Sequence, residues 1–535
     1  LQTEIGKEKE YITLSVSAVK GDKISRGDTS EITSSELQAE MNKYTDEATV
    51  TGSGTLTVTY ESGRSYEVTQ DGNIEQKEEL TPEEAKKIVY ATACGEGLAV
   101  ETADGTVYYV DDVQFSVIQK IEITDAEVIT TNGIKEAEGN YIIDNQGNAY
   151  LDEYFLGGEY SGLPICINNI EGNALNGKKI TKMQLGYDVE IVLDSEGKVY
   201  TWGWNRFGQL GNGTNEDSNE PICISDIPEN ALNGKNIIDI QIDGANNTII
   251  ALDSEGKVYT WGWNGYGKLG SGIEEEYSNE PICISDIEGN ALNNKKIVKI
   301  INNSTMIVLD SEGKVYTWGD NGYGQLGNGT DNLGSEKPIC ISDIPGNALN
   351  SVTIEKISYN DSRDTIAAID SEGKVYTWGD NGYGQLGNGI EEEYSNEPIC
   401  ISDIEGSTLN EKNIIEICND ATMIALDSEG KVYIWGGNIT REPICMSDIP
   451  EIVLNGKNIV KMKKGYNNEL VALDEEGKVY VFENMRMPIC LTDDEESELY
   501  NKKIKDINVT EESMMLQAYI TEDGELYIYA LPMEI

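Results

Sequence analysis

Histidine is absent from this sequence of 535 residues. Its absence excludes histidine-based general acid–base chemistry, Ser-His-Asp and Cys-His nucleophile systems, and histidine-containing metal sites. Catalysis by carboxylates alone, as in glycosidases, is compatible with the composition. No pair of carboxylates stands out from the background of the sequence. We therefore predict a binding protein without catalytic residues or cofactors, rather than an enzyme.

Basic residues are scarce as well. The chain has 40 Lys and Arg against 95 Asp and Glu, which gives a formal net charge of −55. Such a surface repels phosphate backbones and anionic bilayers, because both are bound through Lys and Arg. We expect no nucleic acid partner, whereas a basic protein, a cation or a neutral glycan stays open. The sequence also has no apolar run of the length, about 18 residues, that a membrane-spanning helix requires.

What the sequence does have is a strand-rich repeat with two markers. One marker is Pro-Ile-Cys, at Pro164, Pro221, Pro281, Pro338, Pro398, Pro443 and Pro488. The other is Leu-Asp-Ser-Glu-Gly-Lys-Val-Tyr-Thr-Trp-Gly and its variants, at Leu193–Gly203, Leu252–Gly262, Leu309–Gly319, Ile369–Gly379, Leu426–Gly436, Leu473–Phe482 and Ile520–Tyr529. Seven markers of each kind alternate along the chain, which indicates seven repeat units.

Each unit predicts four strands. In the unit that begins at Pro221 they are expected at Pro221–Ser225, Ile237–Ile242, Thr248–Leu252 and Lys257–Trp261. The last two strands form a hairpin around Asp-Ser-Glu-Gly, where Asp caps the turn and Gly supplies a positive φ. Four-stranded units repeated around an axis form a propeller. The predicted fold class is therefore mainly β, with a seven-bladed β-propeller over residues 161–535.

A glycine-rich run follows the last strand in four units, at Trp202–Gly213, Trp261–Gly272, Trp318–Gly329 and Trp378–Gly389. It indicates a tight structural turn, because a phosphate-binding loop would need a following helix with Lys and Ser/Thr in register. Together with the hairpin it makes the string Asp-x-x-Gly-x-Val-Tyr-x-Trp-Gly-x-Asn-x-x-Gly-Gln-Leu-Gly-x-Gly, clearest at Asp310–Gly329 and Asp370–Gly389. This string resembles the regulator-of-chromosome-condensation repeat family.

The resemblance implies a seven-bladed propeller that serves as a binding scaffold, and it leaves the partner open. Members of the family include nucleotide-exchange factors for a small GTPase on chromatin and secreted bacterial inhibitors of β-lactamase. The chromatin role fits poorly with an acidic surface. Gly437–Arg441 and Glu483–Met487 replace the Gly-Gln-Leu-Gly loop in the last two units, which predicts a lopsided rim.

The N-terminal part has a different character. Ile5, Ile12, Val16 and Val19 share one helical face, a second helix fits Ser35–Tyr44, and a hairpin is expected over 54–74. Residues 1–80 resemble the soluble part of type IV pilin-like proteins of Gram-positive bacteria, a small α+β domain. That resemblance implies an apolar membrane and filament-core helix before Leu1, pilus subunits as further partners, and display outside the cell. Residues 81–160 are interpreted as a linker or a degenerate blade.

The nine cysteines do not predict a disulfide or a metal site. Seven of them stand at the same repeat position, in the Pro-Ile-Cys markers. Equivalent strands of different blades seldom bring Cα atoms within the roughly 7 Å that a disulfide spans. No Cys-x-x-Cys is present, so zinc is not expected. We interpret these cysteines as small hydrophobic side chains.

Variable, acidic and aromatic residues follow the glycine-rich runs, and loops on a rigid scaffold commonly carry recognition. A solvated rim without a partner is the alternative interpretation, and calcium bound by the carboxylates is a further one. Two tryptophans replace the Asp found at the equivalent position of other units, which indicates a protein or sugar contact. The candidate partner-binding residues are Trp204, Trp263, Glu216, Asp217, Glu274, Glu275, Glu276, Tyr277, Glu391, Glu392, Glu393 and Tyr394.

Taken together, these features predict a non-enzymatic extracellular binding protein. In this prediction a pilin-like stalk displays a propeller that contacts a protein or glycan, in adhesion or at a filament tip. The alternative is a secreted proteinaceous enzyme inhibitor of the β-lactamase-inhibitor type.

Overall fold

The computed structural model divides the chain into two compact units, Leu1–Lys86 and Lys87–Ile535. It describes residues 48–51, 56–60, 65–68, 74–76 and 82–532, with gaps at 95–96, 112, 114–116, 124–125, 139, 152–163, 187–188, 244–246, 361–363, 420–421, 438, 465–469, 483–487 and 511–513. Within these described residues no helix is long and apolar enough to cross a membrane.

The first unit contains one antiparallel sheet. Its strands follow chain order: β1 (Ala48–Thr51), β2 (Leu56–Tyr60), β3 (Ser65–Val68) and β4 (Ile74–Gln76). A short helix, α1 (Pro82–Ala85), begins at the proline that the sequence places at its first position. The helices predicted within 1–44 lie outside the described residues. The pilin-like domain that depends on them stays a prediction.

The second unit is a β-propeller of nine four-stranded sheets in the described residues. We number the blades 1 to 9 and letter their strands A to D. Strand A is nearest the axis, where the A strands of neighbouring blades contact one another.

The strands of each blade run from A to D in chain order, except that the D strand of blade 9 comes from the N-terminal side of the propeller. Blade 1 has β5 (Ile88–Cys94), β6 (Gly97–Thr102), β7 (Val107–Val110) and β9 (Glu127–Thr130); blade 2 has β10 (Ile134–Glu138), β11 (Tyr141–Asp144), β12 (Ala149–Leu151) and β13 (Ile165–Cys166); blade 3 has β14 (Ile180–Leu185), β15 (Val189–Asp194), β16 (Val199–Gly203) and β17 (Ser218–Cys223). Blade 4 has β18 (Ile237–Asp243), β19 (Thr248–Asp253), β20 (Val258–Trp263) and β21 (Tyr277–Cys283); blade 5 has β22 (Ile297–Asn302), β23 (Thr305–Asp310), β24 (Val315–Asp320) and β25 (Gly334–Cys340); blade 6 has β26 (Ile354–Asn360), β27 (Thr365–Asp370), β28 (Val375–Asp380) and β29 (Tyr394–Cys400). Blade 7 has β30 (Ile414–Cys418), β31 (Thr422–Asp427), β32 (Val432–Gly436) and β33 (Thr440–Cys445); blade 8 has β34 (Ile459–Lys464), β35 (Leu470–Asp474), β36 (Val479–Phe482) and β37 (Ile489–Cys490); blade 9 has β38 (Ile504–Thr510), β39 (Met514–Thr521), β40 (Leu526–Pro532) and β8 (Ile118–Ile121).

The β-propeller prediction is confirmed, but the count of seven blades is wrong. The Pro-Ile-Cys markers form the D strands of blades 2 to 8, whereas the Asp-Ser-Glu-Gly markers form the B–C hairpins of blades 3 to 9. Each marker therefore occurs in seven blades, but the two sets of seven are different, and blade 1 has neither marker. The predicted boundaries between units were wrong as well. The repeat pattern groups Pro221–Ser225 with the three strands that follow it, but this segment contributes to the D strand of blade 3 and not to blade 4.

The ring is closed by a segment from the N-terminal side of the propeller. Strand β8 leaves blade 1 and pairs antiparallel with β40, with Ile121 opposite Leu526. The Lys120 ammonium lies 3.0 Å from the Glu525 carboxylate, and the Ile88 amide donates a 3.1 Å hydrogen bond to the Gly524 carbonyl. Ile121 packs in a buried cluster that joins blades 1 and 9. The C-terminal strand β40 thus has a pairing partner on both sides, β39 and β8, and presents no free edge.

The repeated Asp of the B–C hairpin fixes the hairpin through both of its oxygens. In blade 4, Asp253 Oδ1 accepts hydrogen bonds from the amides of Glu255 and Lys257, each at 2.9 Å. Its Oδ2 accepts one from the Tyr259 hydroxyl at 2.9 Å. The same Tyr–Asp bond is present in blades 3, 5, 6, 7 and 8. The carboxylate therefore ties the turn to strand C.

Burial raises the pKa of these tyrosines, and the neighbouring carboxylates and thiols add to the effect. Because the folded pKa lies above the unfolded value of about 10, the stabilisation is complete below that pH and is lost above it. We expect alkaline unfolding above about pH 10, with the tyrosinate absorbance of these six tyrosines appearing only as circular dichroism is lost. Ionisation of all 29 tyrosines in the folded protein would contradict this.

The hydrophobic core lies between blades rather than within them. One cluster joins Ile191 and Val199 of blade 3 to Ile240, Tyr259 and Trp261 of blade 4. Equivalent clusters occupy the following junctions. Each blade therefore depends on its neighbour for burial of its apolar face.

The repeat cysteines lie beside this core. Cys445 is buried and the other six are partly buried, and none of the seven is in a disulfide. Burial raises the pKa of their thiols, in Cys283 to about 11, which keeps them protonated and poorly nucleophilic.

Candidate functional site

The loops between strands C and D, which we call CD loops, lie on one face of the propeller. Antiparallel strands alternate in direction, so the CD loops share their face with the A–B loops, and the B–C hairpins lie on the other. The CD loops are long in blades 3 to 6, spanning 204–217, 264–276, 321–333 and 381–393. In blade 7 the loop is a tight hairpin in which Gly436 pairs with Thr440. The CD loops of blades 3 to 6 therefore extend further from this face than the CD loop of blade 7 does.

A single asparagine shapes each long CD loop. In blade 6, Asn381 Oδ1 accepts a hydrogen bond from the Leu386 amide at 3.1 Å. Its side-chain nitrogen donates to the Glu392 carbonyl at 2.8 Å, and its backbone amide donates to the Glu393 carbonyl at 2.7 Å. Asn205, Asn264 and Asn321 make the corresponding side-chain bonds in blades 3, 4 and 5. The acidic part of the loop is thus held by its backbone, and its side chains face solvent.

Each long CD loop is also fastened to the following blade. The indole nitrogen of Trp318 in blade 5 donates a 2.8 Å hydrogen bond to the Lys268 carbonyl in the blade 4 loop. Trp261, Trp378 and Trp435 repeat this bond at three other junctions. Gly327 has φ of 66° and lies where a Cβ would be 2.9 Å from the Trp378 indole nitrogen, so only glycine fits there.

Exposed aromatic side chains are concentrated on these loops. Six of the seven exposed tyrosine and tryptophan side chains in the described residues are in a CD loop or at the first residue of the next D strand. They are Trp204, Tyr266, Tyr277, Tyr323, Tyr383 and Tyr394. We call the residues 204–217, 264–277, 321–333 and 381–394 the CD-loop surface. Exposed aromatics that cluster on one face are typical of a recognition surface.

All twelve predicted site residues lie on the CD-loop surface or beside it, distributed over three blades. In blade 3, Trp204 is 62% exposed, whereas Asp217 accepts a 2.8 Å hydrogen bond from the Asn205 amide and shapes the loop. In blade 4, Trp263 ends strand C, is partly buried and makes an edge-to-face contact with Tyr266 at 6.5 Å. The exposed side chains of Glu216, Glu274, Glu275, Glu276 and Tyr277 occupy the loops of blades 3 and 4, and those of Glu391, Glu392, Glu393 and Tyr394 occupy blade 6.

Some of these residues meet in a groove between the loops of blades 5 and 6. Glu391, Glu393 and Tyr394 line it together with Tyr323 of blade 5, and its volume is about 460 Å³. Trp204, Trp263 and the glutamates of blade 4 lie elsewhere on the arc. In the part of the chain that the structure describes, no group of three or more acidic or thiol side chains is placed to hold a metal ion.

Sequence reasoning missed Tyr266, Tyr323 and Tyr383. They occupy one fixed position of the glycine-rich run, two residues after the loop asparagine, where the surrounding glycines indicate a structural turn. Their exposures of 59%, 50% and 36% show side chains directed into solvent. A bulky aromatic residue between glycines was the signal available in the sequence.

A buried ion pair also distinguishes blade 4. Lys268 stands where the other three long loops have Gln, and its ammonium contacts the carboxylate of Asp243, with both side chains almost completely buried. Asp243 stands where the next three blades have Asn302, Asn360 and Asn419. The two changes compensate each other, because a lone buried charge would be costly.

Comparison with known proteins agrees with this architecture. The model of the Regulator of chromosome condensation (RCC1) repeat matches residues 196–242, 255–301, 312–359 and 372–418, and a second RCC1 repeat model matches 180–209, 240–268 and 354–385. The matched repeats carry the long CD loops of blades 3 to 6.

Two curated relatives and one solved structure illustrate the similarity. The chain is 33% identical over 270 residues to the ultraviolet-B receptor UVR8 of Arabidopsis thaliana, covering 50% of this chain and 55% of UVR8. It is 30% identical over 237 residues to the human E3 ubiquitin-protein ligase HERC2, covering 44% of this chain and 4% of HERC2. The match thus spans about half of UVR8 and a small part of HERC2. Human WBSCR16 superimposes with a TM-score of 0.43 at 19% identity, over 66% of this chain and 88% of that one. The chain contains a β-propeller that is built in part from RCC1 repeats.

Proposed function

We propose that this protein is a non-enzymatic scaffold that binds another protein through the CD-loop surface of blades 3 to 6. The observation that carries the proposal is the concentration of six exposed Tyr and Trp side chains on four loops of one face. Tyr and Trp are the residues that most often anchor protein interfaces. RCC1-repeat propellers bind proteins, which supports a protein rather than a small molecule as the partner.

The loops are built for binding without rearrangement. Each is held by its asparagine and by the indole of the next blade, so little conformational entropy remains to be lost on association. The side chains of Glu274, Glu275 and Glu276 project from such a fixed backbone. An acidic surface with rigid aromatic anchors is complementary to a basic partner, and its charge accelerates the encounter.

The test uses the full chain. A partner captured from the cells that produce the protein is purified and titrated by calorimetry against wild type and the Tyr266→Ala/Tyr323→Ala variant. We expect a loss of affinity of at least about tenfold, because two interface anchors are truncated. Added salt is expected to slow association more than dissociation.

Tyr500→Ala is the matched control. Tyr500 is 39% exposed but lies in the connection from blade 8 to blade 9, on the opposite face. Equal losses in both variants would contradict binding through the CD-loop surface. Loss of binding after deglycosylation of the partner would show a glycan ligand instead, and turnover of the partner would show an enzyme.

Display of the propeller outside the cell, on a pilin-like segment, is the part of the proposal that rests on the sequence alone. Its test is the subcellular location of the natural protein and the sequence of its precursor. A precursor with an apolar helix before Leu1 would support surface display and an adhesive role, and a protein confined to the cytosol would contradict it.

A further inference from the structure

We infer that the groove between the CD loops of blades 5 and 6 binds a cationic side chain, arginine above all, from a basic segment of the partner. The inference rests on the proposed function and adds the chemistry that the partner must present.

The groove combines aromatic and acidic walls. Tyr323 of blade 5 is 50% exposed and Tyr394 of blade 6 is 39% exposed, and both line the groove with Glu391 and Glu393. A guanidinium is attracted to the face of an aromatic ring and forms bidentate hydrogen bonds with a carboxylate. The volume of about 460 Å³ is within the range of ligand sites in proteins.

The charges in the groove leave two carboxylates for a ligand. Asp380 is already engaged, since its oxygens accept hydrogen bonds from the Gly382 amide at 3.1 Å and the Gln385 side chain at 2.7 Å. Among the described residues, no hydrogen bond or ion pair engages the side chains of Glu391 and Glu393. Arg441 of blade 7 also lines the groove, and its side chain donates to the Ile390 carbonyl at 3.2 Å. The groove therefore keeps a negative balance.

The walls are also fixed in place. The Tyr394 hydroxyl donates a 3.3 Å hydrogen bond to Asp331 of the blade 5 loop, and the Asn396 side chain donates to the same carboxylate oxygen at 2.7 Å. The Tyr323 amide donates to Gln325 Oε1 at 2.7 Å. A cation entering the groove would therefore meet a Tyr394 ring that is already held in place by its hydroxyl.

The propeller itself contains a precedent at another junction. In the blade 3 loop, the Arg206 guanidinium lies 5.4 Å from the centre of the Phe207 ring. Arg206 and Phe207 are the repeat equivalents of Gly322 and Tyr323 in blade 5. At the junction of blades 3 and 4 the chain thus supplies its own cation to the aromatic ring. At the junction of blades 5 and 6 glycine takes the place of that cation.

The chain also provides a matched control. The twelve residues Gly272–Cys283 of blade 4 are identical to Gly389–Cys400 of blade 6. Glu274→Gln/Glu276→Gln and Glu391→Gln/Glu393→Gln therefore make the same change of charge within the same local sequence. They differ in the neighbouring loop, which carries Arg206 in one case and Gly322 in the other.

The test measures fluorescence polarisation of a labelled Gly-Ser peptide containing two arginines, and of its citrulline analogue, with the full chain at physiological salt. We expect Glu391→Gln/Glu393→Gln and Tyr323→Ala each to weaken arginine-peptide binding by about tenfold. The Glu274→Gln/Glu276→Gln variant is expected to stay within about twofold, and the neutral citrulline peptide to bind weakly to all of them.

Two results would overturn the inference. Equal losses in the two glutamine variants would show general attraction to an acidic surface, and equal binding of arginine and citrulline peptides would show that the positive charge is not recognised. If either occurs while Tyr266→Ala/Tyr323→Ala still weakens the natural partner, the groove fails and the proposed function stands. If the natural partner is also unaffected, both fail.

Discussion

Trp318→Ala is expected to destabilise the propeller by about 3–5 kcal/mol, the usual cost of truncating a buried tryptophan. The ring is fully buried between blades 4 and 5, and its indole nitrogen holds the blade 4 CD loop through the Lys268 carbonyl. The substitution therefore opens a cavity and leaves that carbonyl without its donor. The measurement is the free energy of unfolding in urea, followed by circular dichroism.

Trp204→Ala serves as the control for this prediction. Trp204 is 62% exposed, so its removal should change the free energy of unfolding by no more than about 0.5 kcal/mol. A similar loss for both tryptophans would show that the interblade cluster does not carry the stability assigned to it.

Ile121→Asp is expected to cost more than about 3 kcal/mol, because it removes a buried apolar side chain and introduces a carboxylate into the same cluster. Ile121 is 6% exposed, and its strand closes the ring against β40. Hydrogen exchange should show the loss of protection first in Leu526–Pro532. The ring is closed at one place, by β8, and no other strand of the described propeller has this role.

Val117→Asp is the matched control, at a position 46% exposed just before β8. It should leave the exchange of blade 9 unchanged. If Val117→Asp and Ile121→Asp accelerate exchange equally, or if protection is lost first in blades 4 to 6, then β8 does not determine closure of the ring.

The sequence predicted the propeller because Asp, Gly and Trp recur in step, and each has a local reason visible in the structure. Asp253 caps its own turn, and its partner Tyr259 is six residues away. From the sequence, residues 81–160 are interpreted as a linker or a degenerate blade, because the strands of blade 1 lack both markers. The role of β8 could not be inferred from the sequence, since Ile121 and Leu526 become neighbours only when the ring closes.

The sequence could predict which loops carry the candidate site, but it could not predict which side chains of different loops lie close together. Glu391 and Glu393 belong to a variable loop on a rigid scaffold, which the sequence alone indicates. That Tyr323 lies across from them depends on the packing of adjacent blades, which brings together residues about one repeat apart. Sequence reasoning missed Tyr323 because its glycine neighbours indicate a turn, and the exposure of a ring is a property of the folded surface.

The fastening of each CD loop by one asparagine and one indole has a consequence for how such a protein diversifies. The backbone of the loop is determined by residues that never touch a ligand, so the remaining positions are free to vary without loss of shape. Exchange of the pair at 206–207 for the pair at 322–323 would transfer a cation-binding groove from one junction to another. We expect the loops of blades 3, 5 and 6, which share Gln where blade 4 has Lys268, to be exchangeable. The specificity of the face would then depend on the order in which the loops are arranged.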